Sequence, residues 1–164
     1  MSSPGRLAAV VVLSVVSAFS AACGPAVDLK KGLQVELVST GWADAGLADG
    51  KNKLVPALTF KLKNVSDQKL VVLQTNAIFR RANEKAEWGS GLLPVVGSDG
   101  LAPGATTTVQ TIKSQLGYTG TESRVDMLKN SQFVDATVQL FAKYGSTQWT
   151  LIGDYPIARQ LLGQ

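Results

Sequence analysis

Short segments in which apolar and polar residues alternate, separated by turn residues, recur over residues 33–157 and set the fold class. Residues 55–64 show the alternation most clearly, with one face formed by Leu58, Phe60 and Leu62 and the other by Thr59, Lys61 and Lys63. A period of two residues is typical of a β-strand with one buried face. We count about seven such segments and no long helical period, which predicts an all-β fold, an antiparallel β-sandwich of about seven strands.

Several positions refine this prediction. Phe60 and Val138 each lie in the middle of an alternating apolar face, so both side chains are predicted to be in the core. Residues 134–157 predict a final hairpin, and Trp149 is placed in its second strand, facing the core. Residues 123–130 predict a single helical turn that begins at a serine N-cap.

The beginning of the chain carries a short apolar run and the chain's one cysteine. Arg6 precedes the apolar residues 7–19, and small residues then lead into Cys23. The run is shorter than the stretch of about 20 apolar residues that a membrane-spanning helix needs. A basic start, a short apolar stretch and small residues at its end indicate a secretory signal instead.

The sequence Phe19-Ser20-Ala21-Ala22-Cys23-Gly24 resembles the signal of bacterial lipoproteins. The resemblance implies that residues 1–22 are removed as a signal peptide and that Cys23 is acylated and becomes the mature N-terminus. Residues 23–32 would then form a lipidated tether in front of a single domain at residues 33–164.

The same resemblance implies a location in the bacterial cell envelope. Because Gly24 and not an aspartate follows Cys23, it implies lipid anchoring at the periplasmic face of the outer membrane. The alternative is an ordinary signal peptide that is cut near Ala22 and leaves Cys23 as a free thiol, which is a liability in an oxidising compartment.

Three segments of the mature chain resemble the Ig-like accessory domains of bacterial lipoproteins. They are the strand at residues 58–64 that runs into Val65-Ser66, the long strand that ends in Phe79, and residues 101–104 (Leu-Ala-Pro-Gly) in front of a Thr/Val-rich strand. The resemblance implies an Ig-like sandwich that serves as a binding or assembly module.

The residue types present restrict the chemistry. The chain contains no histidine, which excludes Ser–His and Cys–His catalysis and histidine zinc sites. Residues 66–69 have the Ser-x-x-Lys spacing of penicillin-binding enzymes, but the spacing falls in a predicted turn rather than a helix. Residues 44–50 lack the alternating oxygen ligands of a calcium loop. We therefore predict that the protein is not an enzyme and needs no cofactor or metal.

The charge of the chain is mildly basic. There are 16 Lys and Arg against 12 Asp and Glu, a net charge of +4, and loss of Arg6 with the signal lowers it to +3. The basic residues are spread along the chain and mixed with acids, whereas nucleic-acid binders concentrate them in a dense patch. We therefore expect no nucleic-acid partner.

Loop aromatics are the candidate binding residues. Trp42, Trp88 and Tyr118 are each flanked by glycine-rich sequence, and Arg80 and Arg81 end a neighbouring strand. Aromatic and arginine side chains most often contribute the binding energy of protein interfaces, which suggests that these residues form a binding rim at the end of the sandwich. The alternative is that the three aromatics plug the ends of the core.

Two functions follow from this sequence. The first is a membrane-anchored, non-enzymatic lipoprotein that binds or assembles with another envelope protein. The second is a dedicated lipoprotein subunit of an envelope secretion, pilus or transport machine, which docks through a sheet edge or through Arg80 and Arg81. The membrane, through the lipid anchor, is a partner in both.

Overall fold

Two antiparallel sheets form the fold in the computed structural model, which describes residues 25–163. The first sheet has the order β1-β2-β5, with β6 pairing β2 farther along, and the second has the order β4-β3-β7-β8. The predicted all-β, antiparallel architecture is confirmed. The strands are β1 (Leu33–Ala48), β2 (Lys51–Asn64), β3 (Leu73–Arg81), β4 (Gly89–Val96), β5 (Gln110–Lys113), β6 (Tyr118–Gly120), β7 (Ala136–Tyr144) and β8 (Thr150–Pro156).

The inward faces of both sheets meet in one hydrophobic core. Over residues 58–63 of β2 the alternation is as predicted, since Leu58, Phe60 and Leu62 are fully buried and the residues between them are half-buried, whereas residues 54–57 are all buried. Phe60 and Val138 are completely buried, and the core prediction is confirmed for both. The fully buried residues opposite β2 include Ala77, Phe79 and Leu140.

The hairpin of β1 and β2 is longer than the sequence suggested. Residues 41–53 have the Gly- and Asp-rich composition that predicts a polar loop, but β1 continues to Ala48 and β2 begins at Lys51. The turn between them has two residues, Asp49 and Gly50, with φ values of 51° and 74°. These left-handed values are typical of a type I′ turn, whose twist matches that of the flanking strands. The placement of Trp42 in a loop is therefore wrong, because Trp42 lies within β1.

The segment predicted as a tether is largely packed against the domain. Residues Leu29–Gly32 form a helical turn, α1, which Asp28 caps by accepting a hydrogen bond from the Lys30 N–H. Leu29 is only 2% exposed. The Val27 N–H donates to the hydroxyl of Tyr144, so residues 25–32 are fixed to the fold. Cys23 and the predicted signal peptide lie outside the described residues.

Two other sequence predictions have opposite outcomes. The helical turn is confirmed as α2 (Arg124–Lys129), with Ser123 accepting a hydrogen bond from the Asp126 N–H at its N-cap. Trp149, in contrast, is not in the core: it lies before β8 begins and is 38% exposed, with the Lys143 ammonium 5.0 Å from its ring centroid. Within residues 25–163, neither helix has the length and apolar content required to cross a membrane.

Candidate functional site

Four aromatic side chains meet at the end of the sandwich where β3 ends and β7 begins, and we call them the aromatic cluster. Trp42 comes from β1, Trp88 directly precedes β4, Tyr118 begins β6, and Phe133 lies shortly before β7. Strand pairing fixes the positions of two of these residues. Trp42 lies opposite Pro56 on one side of β2, and Tyr118 lies opposite Leu54 on the other side. The structure thus brings together all three aromatics proposed from the sequence.

The rings contact one another in tilted and edge-to-face arrangements. Trp42 meets Phe133 edge-on with ring centroids 4.6 Å apart. Tyr118 is 4.8 Å from Phe133, 4.9 Å from Trp88 and 5.6 Å from Trp42, so it contacts every other member. Such offset and edge contacts are the favoured geometries of aromatic pairs and add to the energy of burial. The cluster is therefore a packed unit, and Trp42, with no exposed surface, cannot lie on an exposed rim.

Two polar groups inside the cluster have no hydrogen-bond acceptor among the described residues. They are the indole Nε1 of Trp42 and the hydroxyl of Tyr118, and both atoms are buried. Burial raises the pKa of Tyr118 above its ordinary value of 10.0, which the nearby positive charge of Arg81 offsets only in part. The Tyr118 hydroxyl therefore remains protonated at neutral pH, and it and the indole N–H of Trp42 are each a donor without an acceptor.

Two arginines border the cluster. The guanidinium carbon of Arg81 lies 5.7 Å from the ring centroid of Trp88, and that of Arg159 lies 5.3 Å from Phe133. Arg81 pairs with Glu84 at 3.1 Å, and both side chains are partly exposed. Positive charge over an aromatic face is favourable, and here it fixes the outer rings of the cluster.

Arg159 is also bound to the segments that carry the cluster. Its guanidinium pairs with Asp135 and donates to the backbone oxygen of Phe133 at 2.7 Å. Arg80, the other arginine suggested by the sequence, is not part of the cluster. It donates to the side chain of Gln139 and to the backbone oxygen of Lys85, on the outer face of the second sheet.

A cleft of about 210 Å³ opens beside the cluster, between β6 and α2. Tyr118, Phe133 and Met127 supply its apolar wall, and Asn130 donates to the Glu122 carboxylate at 3.1 Å across its polar side. An apolar wall, a polar edge and two unpaired donors in the adjoining cluster are the features of a binding site. The remaining lining residues are Thr119, Gly120 and Gln132.

The glycines beside these aromatics serve close packing rather than loop flexibility. A side chain at Gly89 would place its Cβ 2.1 Å from the Ser114 Oγ, and one at Gly117 would come 1.9 Å from the Leu54 oxygen. These approaches bring β4 and the residues before β6 against the first sheet. The glycine-rich sequence around Trp88 and Tyr118 therefore marks tight contact between segments.

Phe133 and Arg159 are the site residues that the sequence did not reveal. Phe133 lies outside an alternating segment, and Arg159 belongs to a C-terminal stretch without a recognisable pattern. No local signal distinguishes either residue, because their roles come from contacts between distant parts of the chain.

The acidic residues do not assemble into a metal site. Within residues 25–163, no group of three or more Asp, Glu, Cys or His side chains is placed to hold a metal ion. Asp44 pairs with Arg124 at 2.6 Å. The backbone N–H of Gly46 and this guanidinium lower the pKa of Asp44 below its ordinary value of 3.8.

Comparisons with known proteins give matches among solved structures. No protein-family model and no curated protein matches the chain. Among solved structures, the X-ray structure of Northeast Structural Genomics Consortium target SoR45 is 16% identical, with a TM-score of 0.45. The match covers 79% of this chain and 89% of that chain. The architecture described above rests on the strand pairing itself.

Proposed function

We propose that the protein is a lipid-anchored, Ig-like module of the bacterial cell envelope that binds another envelope protein through the cleft beside the aromatic cluster. The observation that carries this proposal is the buried hydroxyl of Tyr118, which has no acceptor among the described residues and belongs to a side chain that lines the cleft beside an open apolar wall. Buried polar groups without partners are rare in native proteins and call for an explanation. A partner that supplies an acceptor on binding is such an explanation.

The size of the cleft indicates what it accepts. Pockets for small molecules usually measure about 300–1,000 Å³, and this cleft, at about 210 Å³, is smaller. It has room for one apolar or aromatic side chain of a partner. A backbone carbonyl that follows this side chain into the cleft would accept from the Tyr118 hydroxyl, and the polar edge would contact the surrounding peptide.

The charges around the cluster favour binding over catalysis. Glu84 and Asp135, the carboxylates nearest the bordering arginines, are held in ion pairs with Arg81 and Arg159. The chain also has no histidine that could serve as a general base. A non-enzymatic role is consistent with both observations.

The proposed anchor has a direct test. Cys23→Ser should block acylation, so the protein should fail to mature and the domain should leave the membrane fraction. Mass spectrometry of the membrane-extracted protein measures the acyl group, and Ser20→Ala serves as a matched control that keeps the cysteine. A serine variant that is cleaved after Ala22 and stays fully in the membrane would contradict the anchor.

The cleft is tested by filling it. Gln132 is exposed at the edge of the cleft, so Gln132→Trp should block entry without disturbing the core. Recovery of the bound envelope protein from mild-detergent extracts should fall at least tenfold, and thermal stability should stay unchanged. Gln34→Trp, which makes the same change at an exposed position in β1, is the control.

Tyr118→Phe isolates the contribution of the hydroxyl. The substitution keeps the ring contacts and removes only the unpaired donor, so it should weaken partner binding while leaving the free protein at least as stable. Full recovery of the partner with both Gln132→Trp and Tyr118→Phe would refute the cleft as the binding site.

A second candidate function rests on the outer face of the second sheet. Leu92 in β4 and Leu151 in β8 are 66% and 36% exposed, and the strand register places them in one cross-strand row with Asn76 and Phe141. A largely apolar row with exposed ends favours a dedicated subunit that docks by its sheet face. In that case Leu92→Lys should abolish assembly and Gln132→Trp should have no effect, which separates the two functions.

A further inference from the structure

The end of the domain opposite the aromatic cluster carries the N-terminal segment, in which the described residues begin at Pro25. Pro25 is held through its backbone oxygen, which accepts from the Gln68 side chain at 3.0 Å. Two residue steps separate Pro25 from Cys23, and an extended chain covers at most about 7 Å in two steps. If Cys23 is acylated, as proposed above, this end of the domain lies at the level of the lipid headgroups.

The same end exposes apolar side chains. We call it the N-terminal pole, and it comprises residues 25–32, 65–72, 97–104 and 143–149. Val65, Val71 and Val72 on this pole are 47%, 38% and 42% exposed. The pole is held together by backbone hydrogen bonds from Val65 to Gly32 and from Gly145 to Val71 and Val72.

The backbone conformation of Val72 explains part of this exposure. Val72 has a φ of 51°, a left-handed value that is uncommon for a β-branched residue. In a regular strand, successive side chains point to opposite faces, so one of two neighbours would be buried. The left-handed residue breaks this alternation, and both Val71 and Val72 face solvent.

A tryptophan and lysines complete the surface. Trp149 is 38% exposed with the Lys143 ammonium over its ring, and Lys30, Lys31 and Lys69 are exposed on the same pole. The acids of the pole are Asp28, which caps α1, and the exposed Asp67 and Asp99. Exposed tryptophan, aliphatic side chains and lysines together are the composition of protein surfaces at a membrane interface.

We infer that the N-terminal pole rests on the surface of a lipid bilayer, with Trp149 and the valines at the headgroup level and the lysines at lipid phosphates. This inference rests on the proposed acylation of Cys23. It also orients the domain, since the aromatic cluster and its cleft then point away from the membrane, where an envelope partner can reach them.

The test uses the protein extracted from membranes and reconstituted into phosphatidylethanolamine–phosphatidylglycerol vesicles, with or without brominated acyl chains. Bromine quenches tryptophan emission only at close range. We expect quenching in the wild type, the same quenching in Trp88→Phe, and its loss in Trp149→Phe. Trp42 is fully buried and Trp88 belongs to the opposite end, so Trp149 alone should report the contact.

The outcomes separate the two proposals. Vesicle-bound protein with no quenching, or with quenching that persists in Trp149→Phe, overturns the docked pole and leaves the anchor standing. If the protein stays in the supernatant, the proposed lipid anchor is wrong, and the inference that the N-terminal pole contacts the bilayer is wrong as well.

The lysines are tested in the same system. The double variant Lys30→Gln/Lys31→Gln should lower the ratio of docked to undocked domain on phosphatidylglycerol-rich vesicles by about fivefold for each lysine. Lys51→Gln/Lys85→Gln, which removes two exposed lysines from the opposite end, is the matched control and should leave the ratio unchanged. If both double variants lower the ratio equally, net charge alone determines docking, and the proposed contacts of Lys30 and Lys31 with lipid phosphates are wrong.

Discussion

Asn64, at the end of β2, is the buried polar residue whose replacement should affect the fold most clearly. Its side chain has no exposed surface and makes four hydrogen bonds. The amide nitrogen donates to the backbone oxygens of Gln68 and Leu101, each at 2.8 Å. The amide oxygen accepts from the N–H of Ser66 at 3.0 Å and from its hydroxyl at 2.7 Å. Asn64 therefore closes the turn at residues 65–69 and binds it to the loop at residues 97–104.

The expected cost of Asn64→Ala follows from these bonds. Each contributes about 0.5–1.5 kcal/mol net to stability. The two carbonyls that lose the amide keep another donor, because Leu101 also accepts from the Leu70 N–H and Gln68 also accepts from the Ser66 hydroxyl. The full penalty for an unpaired buried group is thus avoided, and we expect a loss of about 3 kcal/mol. For a chain of this length that lowers the melting temperature by roughly 6–12 °C.

A comparison of variants by chemical denaturation tests this reasoning. Asn64→Asp keeps the two accepted bonds but turns a carboxylate oxygen toward two carbonyl oxygens, so it should cost at least as much as the alanine variant. Asn76→Ala is the matched control, because Asn76 is half-buried on the outer sheet face and makes no side-chain hydrogen bond to another described residue; its change should stay within about 0.5 kcal/mol. A loss below about 1 kcal/mol for Asn64→Ala would refute the assignment of this turn.

Three other predictions concern packing and charge. Phe60→Ala should cost about 3–5 kcal/mol in the free energy of unfolding, against less than about 0.5 kcal/mol for Val109→Ala, which is 52% exposed. Gly117→Ala should lower the melting temperature sharply because its Cβ would strike the Leu54 oxygen, whereas Gly97→Ala meets no atom within 4 Å and should be neutral or slightly stabilising. The lowered pKa of Asp44 contributes stability that is present above pH 3.8 and is lost as the pH falls through the folded value, so the wild type should lose more stability on acidification than Asp44→Asn.

The alternation of residue types predicted the central strands and the core, because a strand with one buried face requires an apolar residue at every second position. It placed Phe60 and Val138 in the core, and both are fully buried. It failed for Trp149, because the predicted second strand of the hairpin includes this residue, whereas β8 begins only at Thr150. The end of a strand is set by turn geometry and by neighbouring segments. The alternation of apolar and polar residues carries no information about either.

The glycine-rich sequence around the aromatics predicted loops, and this prediction failed for a different reason. Glycine serves both turns and close approach, and the sequence does not tell which of the two applies. At Gly89 and Gly117 the answer is close approach, to Ser114 and to Leu54. Contacts between residues so far apart in the chain exist only in the folded protein. The same holds for the segment before β1, whose polar composition suggested a tether although Leu29 supplies a buried contact.

Trp42 shows why the candidate site belongs to the end of the sandwich and not to a sheet face. The backbone N–H of Trp42 donates to the backbone oxygen of Gln160 at 2.8 Å, and the backbone oxygen of Trp42 accepts from the N–H of Leu162 at 2.9 Å. The C-terminal segment thus runs beside β1 and covers the edge that β1 would otherwise expose. The indole of Trp42 is enclosed by the rings of the other three members of the aromatic cluster, so it has no exposed surface and Nε1 stays buried without an acceptor. Burying an indole N–H without a hydrogen bond costs free energy, but phenylalanine at this position would leave a cavity, which is also destabilising, so packing alone can account for Trp42. Under the proposed function, the acceptor of a partner would therefore reach the hydroxyl of Tyr118, which lines the cleft, and not the indole of Trp42.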